Sequence, residues 1–212
     1  MSLEASGPPE LFYVGDPLCS WCWGFAPSLR KLRLAYPDRF DYRLLVGGLR
    51  TGISALPLDD GVRAYLARAW EQVARRSGQP FAHEFLKTAD FVYDTEPACR
   101  AVVAARALAP ERVFDYNESL QDAFYRRGLD PTRLETFVAV ARELGFSEKA
   151  FEELVQSKDV ALETRDDFDT ARAMGANGFP TVVVREHGST SVVARGWLSP
   201  EALTDQLAAW LA

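Results

Sequence analysis

The order of apolar and polar positions divides the chain into three stretches of different texture. In the first, Leu11-Phe12-Tyr13-Val14 is a short apolar run closed by Gly15-Asp16-Pro17, the pattern of a buried strand that ends in a turn. Phe25, Leu29, Leu32 and Tyr36 then recur at spacings of three or four, the period of a helix with one buried face, and Pro37 stops it. Phe40 to Val46 alternates before becoming apolar and is closed by Gly47-Gly48, which predicts a second strand. This stretch therefore reads β-α-β, with Cys19-Ser20-Trp21-Cys22 at the point where strand passes into helix.

Between about 59 and 164 the chain is rich in Ala, Leu and Arg at helical period and shows no strand pattern. Helices are expected over 60–77, 97–109, 111–127, 131–144 and 147–156, with Asp130-Pro131 and Ser147 as starts. A further helix over 159–174 should close at Gly175-Ala176-Asn177-Gly178, residues that adopt the left-handed geometry of a C-cap. Beyond Phe179-Pro180, the β-branched run Thr181 to Arg185 and the similar run Ser191 to Arg195 flank His187-Gly188-Ser189, a hairpin. Ser199-Pro200-Glu201 opens a last helix lined by Leu203, Leu207 and Leu211. The pattern predicts an α/β protein: β-α-β over 1–58, an all-helical insertion over 59–164 and α-β-β-α over 165–212.

Composition narrows what such a fold can serve. The 212 residues are 48% hydrophobic and 25% charged, ordinary for a folded globular chain. The formal net charge of −6 gives no basic footprint, so neither nucleic acid nor an anionic membrane is the expected partner. Met1 to Glu10 lacks the basic-then-apolar order of a secretory signal, and no uncharged apolar run approaches 18 residues. The expectation is a cytoplasmic protein, with a processed mature form left open. Three cysteines cannot build a disulfide scaffold, so their role must be local.

Two of the three supply the candidate chemistry. Cysteines three apart in a first helical turn lie on one side of the helix, where a disulfide between them is geometrically reasonable. The free N–H groups and positive dipole end of the helix start stabilise a thiolate over a thiol. Cys19, at the very start, is the expected nucleophile; Cys22, one turn inward, is the expected resolving thiol that attacks the Cys19 sulfur of a mixed disulfide. A zinc site needs four ligands, and the chain offers only Cys99, His83 and His187 besides this pair, none in a second paired arrangement, so no metal is expected. Around the motif, Trp21 should face the cleft and Trp23 the core. Asp16 should either cap the helix or assist proton transfer around Cys22. Cys99 should be a buried small hydrophobe in preference to a third redox thiol. For Gly178-Phe179-Pro180-Thr181, the residues alone place a proline at a strand start with an ordinary trans bond, and do not bring it to the cysteines.

Asp16 to Phe25, the long helical segment and Gly178-Phe179-Pro180-Thr181 before a hairpin together resemble the DsbA-like branch of the thioredoxin superfamily, and within it FrnE-like thiol-disulfide oxidoreductases. The resemblance spans nearly the whole chain. It implies a thioredoxin-like fold with an all-helical insertion, Cys19 attacking, Cys22 resolving and Pro180 cis against the pair. Ser20, Trp21, Phe179, Pro180 and Thr181 would line the substrate cleft, the Phe179 backbone pairing with an extended peptide. Two departures stand out: Ser-Trp separates the cysteines where familiar periplasmic oxidases carry Pro-His, leaving the redox direction open, and no second cysteine pair follows near the C-terminus.

The function expected is disulfide oxidation, reduction or isomerisation on protein or peptide thiols, with no bound cofactor beyond a Cys19–Cys22 redox disulfide and with glutathione as an eventual co-substrate. One alternative is a glutathione-dependent isomerase or transferase of the same architecture. Such relatives typically carry serine at the nucleophile position, so the intact motif counts against it. The other is a non-catalytic, chaperone-like peptide-binding module, for which Cys19→Ser would leave function intact.

Overall fold

The computed structural model describes residues 7–211, the Thr88 side chain excepted; the first six residues of the N-terminal segment read above, and Ala212, lie outside the described residues. In chain order the elements are β1 (Glu10–Gly15), α1 (Ser20–Ala35), β2 (Asp41–Val46), β3 (Leu56–Pro57), α2 (Asp60–Ser77), α3 (His83–Thr88) and β4 (Val92–Tyr93). They continue with α4 (Glu96–Leu108), α5 (Val113–Tyr125), α6 (Leu134–Glu143), α7 (Glu148–Val155), α8 (Lys158–Ala173), β5 (Thr181–Glu186), β6 (Ser189–Arg195) and α9 (Pro200–Leu211).

The central sheet has the order β2-β1-β5-β6, with β1 parallel to β2 and antiparallel to β5, and β6 antiparallel to β5. The central residues of its inner strands, Leu11 to Val14 and Val182 to Val184, are apolar and buried because both faces are covered. Leu11, Tyr13, Leu44, Val46, Val182 and Val184 enter the main core, while Phe12, Val14, Leu45 and Val183 enter a second cluster with Ala171 and Ala176. α1 and α9 pack together on the main-core face, and α8 lies against β2. The β5–β6 hairpin turns through His187 and Gly188, both at positive φ (49° and 76°), the left-handed pair that matches the twist of the flanking strands.

Most helices lie within two or three residues of the expected bounds, but the stretch between 59 and 164 is not wholly helical. β4 pairs antiparallel with β3, placed by Leu56↔Tyr93 and Pro57↔Val92, and α3 is a further short helix. Two-residue strands are too short to show alternation, and a six-residue helix is too short to show a period, which is why neither was legible. α8 is one helix from Lys158 to Ala173, so the expected division at 164/165 falls inside it.

Two features of the helices bear on the site. Pro27 lies inside α1, and its missing N–H frees the carbonyl of Trp23, which instead accepts from Gln79 Nε2 at 3.1 Å. In the helical block, the Trp70 ring contacts Phe81, Phe124 and Tyr125 at centroid distances of 5.3, 5.5 and 5.4 Å. Tyr125 then stacks on Trp23 at 6.2 Å, so this aromatic core ends against the residue after Cys22.

Candidate active site

β1 delivers the chain through Asp16-Pro17 to Cys19, which is the N-cap of α1 with extended backbone (φ −84°, ψ 113°). The Cys19 carbonyl accepts from the amides of Cys22 (2.9 Å) and Trp23 (3.1 Å), so those of Ser20 and Trp21 open the helix without intrahelical partners. Cys19 keeps 6% of its surface and Cys22 none, and both are free thiols. This is the order expected of an attacking and a resolving sulfur. Burial pushes the Cys22 thiol well above its ordinary value, and the adjacent Cys19 pushes it further. The Asp16 backbone and the Tyr13 side chain pull the other way.

The Phe179–Pro180 peptide is cis, and the Cys19 thiol lies 3.7 Å from the Phe179 carbonyl oxygen, within reach of a sulfur hydrogen bond. Two segments 160 residues apart thus meet at the nucleophile. Ser20, Trp21 and Phe179 are half-buried, Pro180 is buried, and Trp23 is core, its indole N–H donating to the Pro80 carbonyl at 3.0 Å. Thr181, expected along the cleft, is buried and turned inward: its hydroxyl donates to the Gly178 carbonyl at 2.7 Å and braces the bend before β5.

Asp16 does not cap α1; Cys19 holds that place and no side chain bonds the helix start. The Asp16 carboxylate is buried and collects four donors instead. Oδ1 accepts from the Leu18 amide (2.8 Å), and Oδ2 from the Leu49 amide (2.7 Å), the Thr95 hydroxyl (2.7 Å) and the Cys99 thiol (3.4 Å). Burial raises its pKa from the usual carboxylate range against the pull of those donors. It joins the strand that ends before the motif, the segment after β2 and the start of α4. Cys99 is more than filler there: burial, then the neighbouring Asp16 carboxylate, push its thiol well above the ordinary range.

Several residues of this site carried no readable signal. The Tyr93 hydroxyl donates to the Leu18 carbonyl, and Thr95 sits between Asp16 and Arg50, yet both lie in the stretch read as purely helical. Gly47, read only as the end of a strand, lets the Phe179 ring lie directly on the backbone; a Cβ there would fall inside the ring's van der Waals envelope. A hydroxyl on an otherwise apolar buried strand was the one available hint for Tyr13. Among the described residues, no group of three or more His, Cys, Asp or Glu side chains is placed to hold a metal ion.

A thiol pair at a helix start, faced by a cis-proline loop and backed by a helical block, is matched at the level of sequence as well. Residues 11–208 match the DSBA-like thioredoxin domain family. The chain belongs to that family. Its fold is that of the DsbA-like thiol-disulfide oxidoreductases. The crystal structure of a candidate protein disulfide isomerase from Nitrosomonas europaea is 36% identical, with a TM-score of 0.89 over 96% of this chain and 98% of that one. The cytosolic disulfide reductase DsbM from Pseudomonas aeruginosa is 27% identical, with a TM-score of 0.78 over 95% and 98%, and that enzyme has also been solved with GSH. The ClpXP adapter protein SpxH of Halalkalibacterium halodurans is 26% identical over 182 residues, 83% of this chain and 58% of the relative. The chain thus spans under two thirds of the length of the curated relatives it matches, for which the shares are 58%, 59%, 57% and 58%. No helix among the described residues is long and apolar enough to cross a membrane.

Proposed function

We propose that this chain is a thiol-disulfide oxidoreductase in which Cys19 attacks and Cys22 resolves. The observation that carries the reading is the Cys19 thiol at the α1 N-cap, 3.7 Å from the Phe179 carbonyl, with the fully buried Cys22 behind it. In the reducing direction, the Cys19 thiolate attacks one sulfur of a substrate disulfide; the S–S bond breaks, a mixed disulfide forms and one substrate thiolate leaves. Cys22 then loses its proton and attacks the Cys19 sulfur, releasing the second substrate thiol. The substrate gains two electrons and the cysteine pair becomes a disulfide, which two equivalents of an external thiol return to dithiol. Ser20, Trp21, Phe179 and Pro180 border the reacting sulfur, and no bound cofactor enters any step.

The likeness to DsbM favours the reducing direction, a cytoplasmic setting, protein or peptide disulfides as substrates, and glutathione as the thiol that restores the pair. The test is insulin reduction and dithiol oxidation by wild type and Cys19→Ser, with the potential measured by equilibration against glutathione. We expect Cys19-dependent turnover and a potential toward the reducing end of the superfamily's range, about −270 to −120 mV. Turnover that survives Cys19→Ser would reject the reading. A second reading rests on the relatives named as ClpXP adapters, in which the cleft holds a protein partner without cycling a disulfide. It requires that Cys19→Ser leave partner binding intact while no thiol-dependent turnover is found.

A further inference from the structure

Arg50 sits on the segment after β2 that Asp16 ties to the turn carrying Cys19, and it takes no part in the chemistry described so far. Its place follows from Asp16. One oxygen of that carboxylate holds the Leu18 amide and the other holds the Leu49 amide, so Cys19 and Arg50 are each the residue that follows an amide bound to the same group. Thr95 fixes the Arg50 backbone in both directions: its hydroxyl accepts from the Arg50 amide at 3.2 Å and its amide donates to the Arg50 carbonyl at 2.8 Å. Tyr93, whose hydroxyl donates to the carbonyl of Leu18, presents its ring to the guanidinium with Cζ 5.8 Å from the centroid. The Tyr65 ring flanks the guanidinium at 5.9 Å and is itself 53% exposed.

Two aromatic faces thus orient the planar cation, and neither supplies a hydrogen-bond acceptor in the plane of its N–H groups. Among the described residues, no carboxylate pairs with it. A preorganised guanidinium with its fork unfilled matches a carboxylate. In a chain of net charge −6, such a cation on the segment that Asp16 ties to the Cys19 turn also offsets the repulsion an anionic substrate would otherwise meet.

Resting on the oxidoreductase reading above, we infer that Arg50, held between Tyr65 and Tyr93, is the specificity residue that binds a carboxylate of a small thiol or disulfide while its sulfur meets Cys19. The ligand class is a short anionic peptide thiol, of which glutathione is the available probe. The contact would also orient the ligand, bringing one sulfur of an asymmetric disulfide to the nucleophile and turning the other away.

The experiment compares kcat/KM for glutathione disulfide and for the uncharged bis(2-hydroxyethyl) disulfide in wild type, Arg50→Met and Arg50→Lys. The ratio of the two should fall roughly 10- to 100-fold in Arg50→Met, the range for loss of a charge-assisted contact, and less in Arg50→Lys. In wild type, glutathione disulfide with its carboxylates esterified should lose the same advantage. An unchanged ratio in Arg50→Met overturns the inference, because a merely structural loss lowers both substrates together. An equal fall with insulin as substrate would assign the contact to acidic groups of proteins and overturn the small-thiol assignment. Absence of turnover on every disulfide in wild type would instead remove the oxidoreductase reading itself.

Discussion

Asp16 shows how one buried side chain can organise a site without touching the reacting bond. Its carboxylate receives four donors from three segments, yet burial still lifts its pKa. The folded protein therefore holds this proton more tightly than the unfolded chain. The stabilisation is fully present below the unfolded value, about 3.9, and is lost as pH rises through the raised folded value. We predict that Asp16→Asn, which cannot ionise, has a flatter dependence of its urea midpoint on pH across that window than wild type, whatever its absolute stability. An identical slope in the two proteins would contradict the assignment. The residue was visible in the sequence because an acidic group three positions before a reactive cysteine draws notice. Its function was not, because a cap and a buried crosslink look alike until Leu49, Thr95 and Cys99 arrive from elsewhere in the chain.

At the scale of elements, the site is a meeting of a helix start and two loops, and each is shaped by a local rule. Pro27 removes one hydrogen bond from α1, and Gln79 fills the vacancy at the Trp23 carbonyl. Gln79→Ala should therefore cost about 1 kcal/mol in thermal or urea unfolding, and less in a Pro27→Ala background, where the new amide can reach the same carbonyl. Additive losses in the double variant would refute the exchange. The loop after β2 depends on Gly47 for a different reason. Gly47→Ala places a methyl group against the Phe179 ring, so we expect about 1 to 3 kcal/mol of destabilisation. Because Phe179 carries the carbonyl facing Cys19, a slower alkylation of Cys19 by iodoacetamide should accompany it, and an unaltered rate would show that the ring moves without its backbone. The strand-turn-helix that carries Cys19 and Cys22 was legible because hydrophobic period and cysteine spacing are both local. β3 and β4 were not, since each is only two residues long and is set by a partner distant in sequence.

For the whole molecule, the question is what keeps the helical block registered on the sheet so that both walls of the site stay in place. Arg106 of α4 donates to both oxygens of Asp167 on α8 (2.8 and 2.9 Å), to the Leu44 carbonyl of β2 and to Glu163, and Asp167 also accepts from the Val46 amide at 3.1 Å. Burial raises the Asp167 pKa despite the guanidinium beside it, so the carboxylate depends on Arg106 to stay ionised. Arg106→Met should lose roughly 3 to 5 kcal/mol in urea unfolding near neutral pH, the cost of leaving a buried charge without its partner, and part of the loss should return when the pH is lowered enough to protonate Asp167. A loss below about 1 kcal/mol would mean that apolar packing alone sets the register. Fold class was readable from the order β-α-β, helices, α-β-β-α, because that order is fixed by periodicity. The contact among α4, α8 and β2 was not, because nothing local distinguishes Arg106 from the other arginines of the chain.

The most direct test of the central claim is trapping the mixed disulfide. Cys22→Ser incubated with glutathione disulfide, then analysed by intact and fragment mass spectrometry, should carry one glutathione on Cys19 and none on the buried Cys99. The wild-type protein should instead pass to the Cys19–Cys22 disulfide and release the adduct. An adduct on Cys99, or a Cys22→Ser protein that stays unmodified while wild type still forms a disulfide, would contradict the division of roles between Cys19 and Cys22.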